Sequence, residues 1–103
     1  MQQLLETTVF FELVRQGYKV SMGKIGNREI DFVATKGMDT RYYIQVAVSV
    51  SDKEKLNQAI APFSKLTDNY PQCVMTLDSV LLPNVRGIRM IRALDFLLGK
   101  TTL

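Results

Sequence analysis

Two polar side chains stand at matching places in two neighbouring predicted strands. Asp31 belongs to residues 29–34 and Gln45 to residues 42–48, and both stretches have the alternating apolar pattern of β-strands. In a hairpin of these strands Asp31 lies directly across from Gln45, and such opposed side chains begin about 4.5–5.5 Å apart at Cβ. A carboxylate and an amide at that separation can share one metal ion or one substrate group.

The turn between the two strands sets the register of this hairpin. Residues 37–39 begin with a glycine and form a three-residue loop, which Lys36 and Thr40 close. Counting back from that closure gives the pairing described above and also places Glu29 opposite Ala47.

A third candidate, Glu6, lies in the opening segment, which predicts an amphipathic helix ending at Gly17. The predicted apolar stripe of this helix consists of Leu5, Val9, Phe10, Leu13 and Val14. Glu6 sits at the end of the stripe that faces the rest of the domain, where a carboxylate needs a partner because an isolated buried charge is costly. The alternative is a helix-start carboxylate that the helix dipole favours.

The composition restricts the chemistry that these residues can support. The chain has 103 residues, which predicts a single domain over 1–103 with a core that needs no cross-links. A lone Cys73 and the absence of histidine exclude an internal disulfide and the usual zinc sites, so any metal is a hard, oxygen-bound ion such as Mg²⁺ or Mn²⁺. No segment resembles a signal peptide or has the roughly 18 apolar residues of a membrane span. We therefore expect a cytoplasmic protein.

The first half of the chain predicts a three-stranded meander after the opening helix. A strand over 18–22 and a turn over 23–27 lead into the Asp31 strand. The alternation places one set of side chains on an apolar sheet face: Ile30, Phe32, Ala34, Tyr42, Ile44, Val46 and Val48. The opposite face carries the polar cluster: Glu29, Asp31, Val33, Tyr43, Gln45 and Ala47.

The second half predicts a crossover helix and further strands. The capping-box pattern of residues 51–54 starts the helix, and Pro62 interrupts it. An apolar strand over 73–77, a short strand over 88–91 and a last helix around 94–98 follow. The crossover is long enough for parallel pairing. The predicted fold class is therefore α/β: a helix, a three-stranded antiparallel meander, a crossover helix and a parallel strand, with a mixed central sheet flanked by helices.

The net charge favours contact with a polyanionic partner. Lys and Arg number 13 against 10 Asp and Glu, a net charge of +3, and the basic residues are scattered along the sequence. Lys24, Arg28 and Lys53 are the candidates for contact with DNA. The alternative is ordinary solvated surface charge.

The order of elements, together with Glu6, Asp31 and residues 45–47, resembles the PD-(D/E)XK nuclease-like superfamily. In that family a helix-borne glutamate, an aspartate on the second strand and a glutamate-x-lysine on the third gather around one or two Mg²⁺ ions, which activate water and polarise the scissile phosphate. The resemblance implies a restriction-endonuclease-like core in which Glu6 and Asp31 are the metal ligands. Gln45 is then a vestige of the catalytic acid.

Residues 45–47 depart from the family pattern. Gln45 offers a neutral oxygen but no negative charge, and Ala47 leaves the place of the lysine empty. Lys24 is the first candidate to supply the missing cation, and Lys53 is the second.

A narrower resemblance covers nearly the whole chain. Residues 5–18, 23–34, 43–47 and 65–71 look like the C-terminal domain of unknown function attached to archaeal and bacterial AAA+-type P-loop ATPases. This resemblance implies an N-terminal ATPase module as partner, in a longer chain or beside a stand-alone relative.

Three functions remain open from the sequence. The preferred one is a nuclease-fold domain without robust catalysis that binds DNA or regulates an AAA+-type ATPase. The second is a weak Mg²⁺-dependent DNA endonuclease. The third is a protein-interaction domain without nucleic-acid contact.

Overall fold

The structure, a computed structural model, describes the backbone of residues 1–25 and 28–103, with all side chains there except those of Lys24, Ile25 and Arg28. Its elements are α1 (Gln2–Arg15), β1 (Lys19–Ile25), β2 (Arg28–Lys36), β3 (Thr40–Ala47), α2 (Lys53–Ile60), a 3₁₀ helix (Ala61–Lys65), β4 (Gln72–Thr76), β5 (Asn84–Val85), β6 (Ile88–Arg92) and α3 (Ala93–Leu97). Among the helices described, none has the length and apolar character required to cross a membrane.

The strands form one mixed sheet in the order β1-β2-β3-β4-β6-β5. β1, β2 and β3 are antiparallel, β3 pairs in parallel with β4, β4 pairs in parallel with β6, and β5 is antiparallel to β6. The α/β class with a mixed sheet, predicted from the sequence, is confirmed. The two-residue β5 was not predicted, because so short a strand leaves no periodic pattern.

The predicted hairpin register is confirmed near the turn. The ladder between β2 and β3 runs from the pair of Lys36 and Thr40 to the pair of Phe32 and Ile44. It ends there, so the predicted pairing of Glu29 with Ala47 is not part of it.

Apolar side chains cover both faces of the sheet. A first core lies between the sheet and helices α1 and α3, and its buried members include Val9, Ile44, Met75 and Phe96. A second core lies between the sheet and α2 with its 3₁₀ extension, and it contains the buried Phe63. The sheet is therefore flanked by helices, and α1 and α2 approach it from opposite sides.

The sequence placed two helix features imprecisely. Val14 is 46% exposed rather than part of the buried stripe of α1, since Leu5, Val9 and Leu13 suffice to face the sheet. The N-cap of α2 is Asp52 rather than Ser51, because the Asp52 carboxylate accepts the Lys55 N–H at 2.8 Å.

The interruption at Pro62 is confirmed, since α2 gives way there to the 3₁₀ helix.

The pairing of β1 with β2 contains a β-bulge. The register shifts between Ser21 and Gly23, so that two β2 residues, Asp31 and Phe32, oppose the single β1 residue Met22. β1 continues to Ile25 beyond this point, where the sequence predicted a turn. The predicted turn residues 26 and 27 lie outside the described residues.

Because of the bulge, the β2 side chains before it point to the sheet face opposite the one that strict alternation predicts. Phe32 and Ala34 pack in the first core, whereas Ile30 packs in the second. The prediction that Ile30 shares a face with Phe32 and Ala34 is therefore wrong, because an extra residue in a strand changes which face every earlier side chain meets.

Candidate functional site

The site lies where the β2–β3 ladder ends. Beyond that point the two strands are joined by hydrogen bonds between side chains and backbone. The Asp31 N–H donates to Gln45 Oε1 at 2.7 Å, and the Val46 N–H donates to Asp31 Oδ2 at 2.9 Å. Asp31 and Gln45 are thus brought together as the sequence predicted. The contact joins the Asp31 backbone to the amide, however, and not two side chains that share a ligand.

Gln45 is buried, with 7% of its surface exposed, and both ends of its amide are occupied. Its Oε1 accepts from Asp31, and its Nε2 donates to the Ala59 carbonyl of α2 at 3.1 Å. Gln45 therefore ties β2, β3 and α2 together, which is a role for an amide that donates and accepts.

The Gln2 amide forms hydrogen bonds that join the start of α1 to the same end of β3. Gln2 Nε2 donates to the Val46 carbonyl at 2.6 Å, and the Val48 N–H donates to Gln2 Oε1 at 3.1 Å. The sequence analysis missed Gln2, since nothing in a single glutamine at a helix start indicates a long-range contact.

A cavity of about 430 Å³ opens at this point between α1 and α2. The lining residues are Gln2, Asp31, Gln45, Val46, Ala47, Val48, Ser49, Lys55, Gln58 and Ala59. Lys55 was missed by sequence reasoning. It lies one helical turn before Ala59, so its position follows only from the contact between Ala59 and Gln45.

Of the three cations predicted from the sequence, the structure describes the side chain of Lys53. Lys53 is exposed and lines an adjoining groove rather than this cavity. The side chains of Lys24 and Arg28 lie outside the described residues. Among the described cations, Lys55 is one that lines the cavity containing Asp31.

The electrostatics of Asp31 reflect an acidic neighbourhood. Burial raises the pKa of the Asp31 carboxyl, the negative charges of Glu6 and Glu29 raise it further, and the hydrogen bond from Val46 opposes the rise. Glu6 is half-buried and Glu29 is exposed. The structure therefore brings Glu6 within electrostatic range of Asp31, as the sequence predicted.

Lys55 is directed toward other carboxylates. Its Nζ lies 3.8 Å from Asp52 Oδ2, and its charge helps to lower the pKa of Asp78. The causes that act on the Asp31 pKa, within the described part of the chain, include no cation.

The residues fit a divalent cation only in part. Glu6 and Asp31 supply the hard oxygen ligands that Mg²⁺ prefers. However, one Asp31 oxygen is engaged by Val46, and the Gln45 oxygen is engaged by Asp31. Among the described residues, no group of three or more His, Cys, Asp or Glu side chains is arranged to hold a metal ion.

Asp31→Asn is expected to stabilise the fold at neutral pH. The folded pKa of Asp31 is raised above its ordinary value of 3.8, so its contribution to stability is fully present below pH 3.8 and is lost as the pH rises through the raised pKa. Asparagine keeps an oxygen for Val46 without the charge. The gain, measured by urea denaturation at several pH values, should disappear at low pH.

Asp78→Asn is the matched control with the opposite sign. Burial raises the pKa of Asp78, but hydrogen bonds from Val50, Ser49 and Thr76 and the Lys55 charge outweigh it, so the pKa is lowered. Its contribution is present above pH 3.8 and is lost as the pH falls through the lowered pKa. The two variants should therefore diverge at neutral pH, and equal behaviour there would contradict this account of Asp31.

One known protein aligns with most of the chain. It is an uncharacterized protein of Haemophilus influenzae, 35% identical over 94 residues, which are 91% of this chain and 22% of the relative. The chain thus spans less than a quarter of the length of that relative. No protein-family model and no solved structure matches the chain.

Proposed function

We propose that this chain is a nuclease-fold domain with a degenerate catalytic motif, which binds DNA or regulates an AAA+-type ATPase without cutting. Support for a restriction-endonuclease-like core comes from the order of α1, the antiparallel β1–β3, the crossover α2 and the parallel β4. Glu6 and Asp31 occupy the places that the PD-(D/E)XK resemblance assigns to the acids of the first helix and the second strand.

The observation that carries the proposal is the bonding of Gln45. A carboxylate at this position can accept from the Asp31 N–H but cannot donate to the Ala59 carbonyl, whereas the amide does both. Position 45 therefore serves the fold instead of holding a metal. Ala47, two residues further along β3, carries no group that can position water or transfer a proton.

The role as a module of a larger protein has separate support. The relative from Haemophilus influenzae is several times longer than this chain, so the homologous segment there is one part of a larger polypeptide. Together with the resemblance to ATPase-attached domains, this favours a P-loop ATPase module as the partner.

A cleavage assay tests the proposal. Supercoiled DNA incubated with the protein and Mg²⁺ or Mn²⁺ should show no nicking above that of the Asp31→Ala variant. Metal-dependent nicking that vanishes in Asp31→Ala would overturn the non-catalytic role. DNA binding should weaken steeply as the salt concentration rises; without such binding, a protein-interaction domain would be the remaining function.

The alternative of a weak Mg²⁺-dependent endonuclease is favoured by the acidic surroundings of Asp31. A half-buried carboxylate whose pKa is raised by burial and by Glu6 and Glu29 is a group that a divalent cation would stabilise. Lys55 lines the same cavity, and its charge is directed toward Asp52 and Asp78. In this alternative the ion would activate the attacking water, and the chain's own residues would hold it through Glu6 and Asp31.

A further inference from the structure

Three adjoining cavities follow the exposed side of α2. The cavity beside Asp31 shares Gln58 with a second groove of about 600 Å³, and that groove shares Asn57 and Ala61 with a third of about 560 Å³. We refer to the three together as the α2 groove. It leads from Asp31, across α2, to Arg86 at the far edge of the sheet.

Cations and neutral hydrogen-bonding groups are distributed along this groove. Lys55 lines its first part, Lys53 its second and Arg86 its third, and all three are exposed. Amides and a hydroxyl lie between them: Gln58, Asn57, Ser64 and Gln72. Glu54 lines the middle part and Asp52 pairs with Lys55, so the positive charge is concentrated toward the Arg86 end.

Arg86 has a backbone conformation that its residue type disfavours. Arg86 and Gly87 have φ values of 52° and 81° and form the two-residue turn between β5 and β6, which Val85 and Ile88 close. Such turns favour asparagine, aspartate or glycine at the first position, and the left-handed conformation costs other residues about 1–2 kcal/mol. The fold does not require this cost, because asparagine would form the same turn.

The contacts of the Arg86 side chain within the protein do not offset the cost of this backbone conformation. Its guanidinium lies 3.5 Å from Asn57 Oδ1, at the long limit of a hydrogen bond, and both residues are exposed. A strained arginine that extends over a groove toward α2 is therefore better explained by a ligand than by stability.

We infer that the Arg86 end of the α2 groove binds the phosphate backbone of DNA, with Arg86 as its principal anchor and Lys53 as a further contact. This inference rests on the proposed function and adds to it the surface used. An arginine presents paired donors to a phosphate, and lysines act as point charges beside it. Arg86 was not among the nucleic-acid residues predicted from the sequence.

Arg86→Asn separates binding from stability. The variant should melt at the same temperature as the wild type or higher, because asparagine is favoured in the turn. Its DNA affinity should fall, and the slope of log Kd against log salt should decrease by about 1 for the lost phosphate contact. Arg86→Lys keeps the charge and the strain and should keep most of the slope.

Lys100→Gln provides a matched control. Lys100 is exposed and follows α3, which packs on the sheet face opposite α2. The substitution removes one positive charge from the protein without altering the α2 groove. Affinity and salt slope should stay close to those of the wild type.

The possible results of these binding measurements test the groove inference and the proposed function separately. If the wild type binds DNA in a salt-dependent way but Arg86→Asn loses no more affinity than Lys100→Gln, the groove is wrong and the proposed function stands. If the wild type shows no salt-dependent DNA binding, the groove inference and the DNA-binding part of the proposed function both fail. If polyglutamate binds as tightly as DNA with the same dependence on Arg86, the groove belongs to an acidic protein partner, and the inference of DNA is overturned.

Discussion

Gln45→Leu is expected to lower the free energy of unfolding by about 2–4 kcal/mol. Leucine fills a similar volume but removes both hydrogen bonds of the amide. The Asp31 N–H and the Ala59 carbonyl, which are partly buried, then have no partner, and each such group costs about 1–3 kcal/mol. Urea denaturation followed by circular dichroism measures the loss.

Gln58→Leu is the control for this prediction. Gln58 lines the same cavity, but it is exposed. Its replacement should change the free energy of unfolding by no more than about 0.5 kcal/mol. If the two glutamines proved equivalent, position 45 would not hold β2, β3 and α2 together, and the case for a structural glutamine would be lost.

Gln45→Glu tests the effect of a negative charge at the same position. The new carboxylate cannot donate to Ala59 and adds a negative charge beside Asp31, so the variant should be less stable than the wild type at neutral pH. Mg²⁺ should raise its melting temperature, since a third carboxylate joins Glu6 and Asp31. Gln45→Leu and the wild type should show little or no such rise, and a strong rise in the wild type would favour the endonuclease alternative.

Gly23→Ala is expected to destabilise the protein by about 1–3 kcal/mol through overpacking. A Cβ at position 23 would lie 2.9 Å from Val33 Cγ2 and 3.3 Å from Ile30 Cβ, and both neighbours are buried. The bulge causes this crowding, because it pairs Gly23 with Ile30. Thermal and urea denaturation measure the effect.

The sign of the change in stability in Gly23→Ala shows whether position 23 is crowded. Where no clash occurs, a glycine-to-alanine change commonly stabilises by about 0.4–1 kcal/mol. Ser21→Ala introduces the same residue at an exposed position of the same strand, where it meets no such crowding, and should have a small effect. A stabilised Gly23→Ala variant would mean that β1 and β2 do not approach as described at the bulge.

Local signals in the sequence were sufficient for the parts of the fold that depend on neighbouring residues. The loop over 37–39 set the pairing of Lys36 with Thr40, and Pro62 marked the end of regular α-helix. Both follow from backbone chemistry that acts within a few residues. The alternation along β3 likewise predicted which of its side chains share a face, although apolar side chains cover the face that was expected to carry the polar cluster.

Features that depend on distant residues were not predictable in this way. The bulge at Asp31 and Phe32 arises in the pairing with β1, and it moved Ile30 to the other face of the sheet. Lys55 entered the site because α2 packs with its Ala59 carbonyl against Gln45 of β3, a contact between residues 14 positions apart.

Residue patterns alone predicted the three helices, five of the six strands, the hairpin turn and the proximity of Asp31 to Gln45. Packing between distant elements sets the remaining features: Gln45 bonds to the backbone on both sides, Gln2 and Lys55 join the cavity, and Arg86 reaches α2. The physical reason is the range of the interactions: turn and strand preferences are local, whereas strand register beyond a bulge and the rotation of a helix are set by packing between elements far apart in the chain.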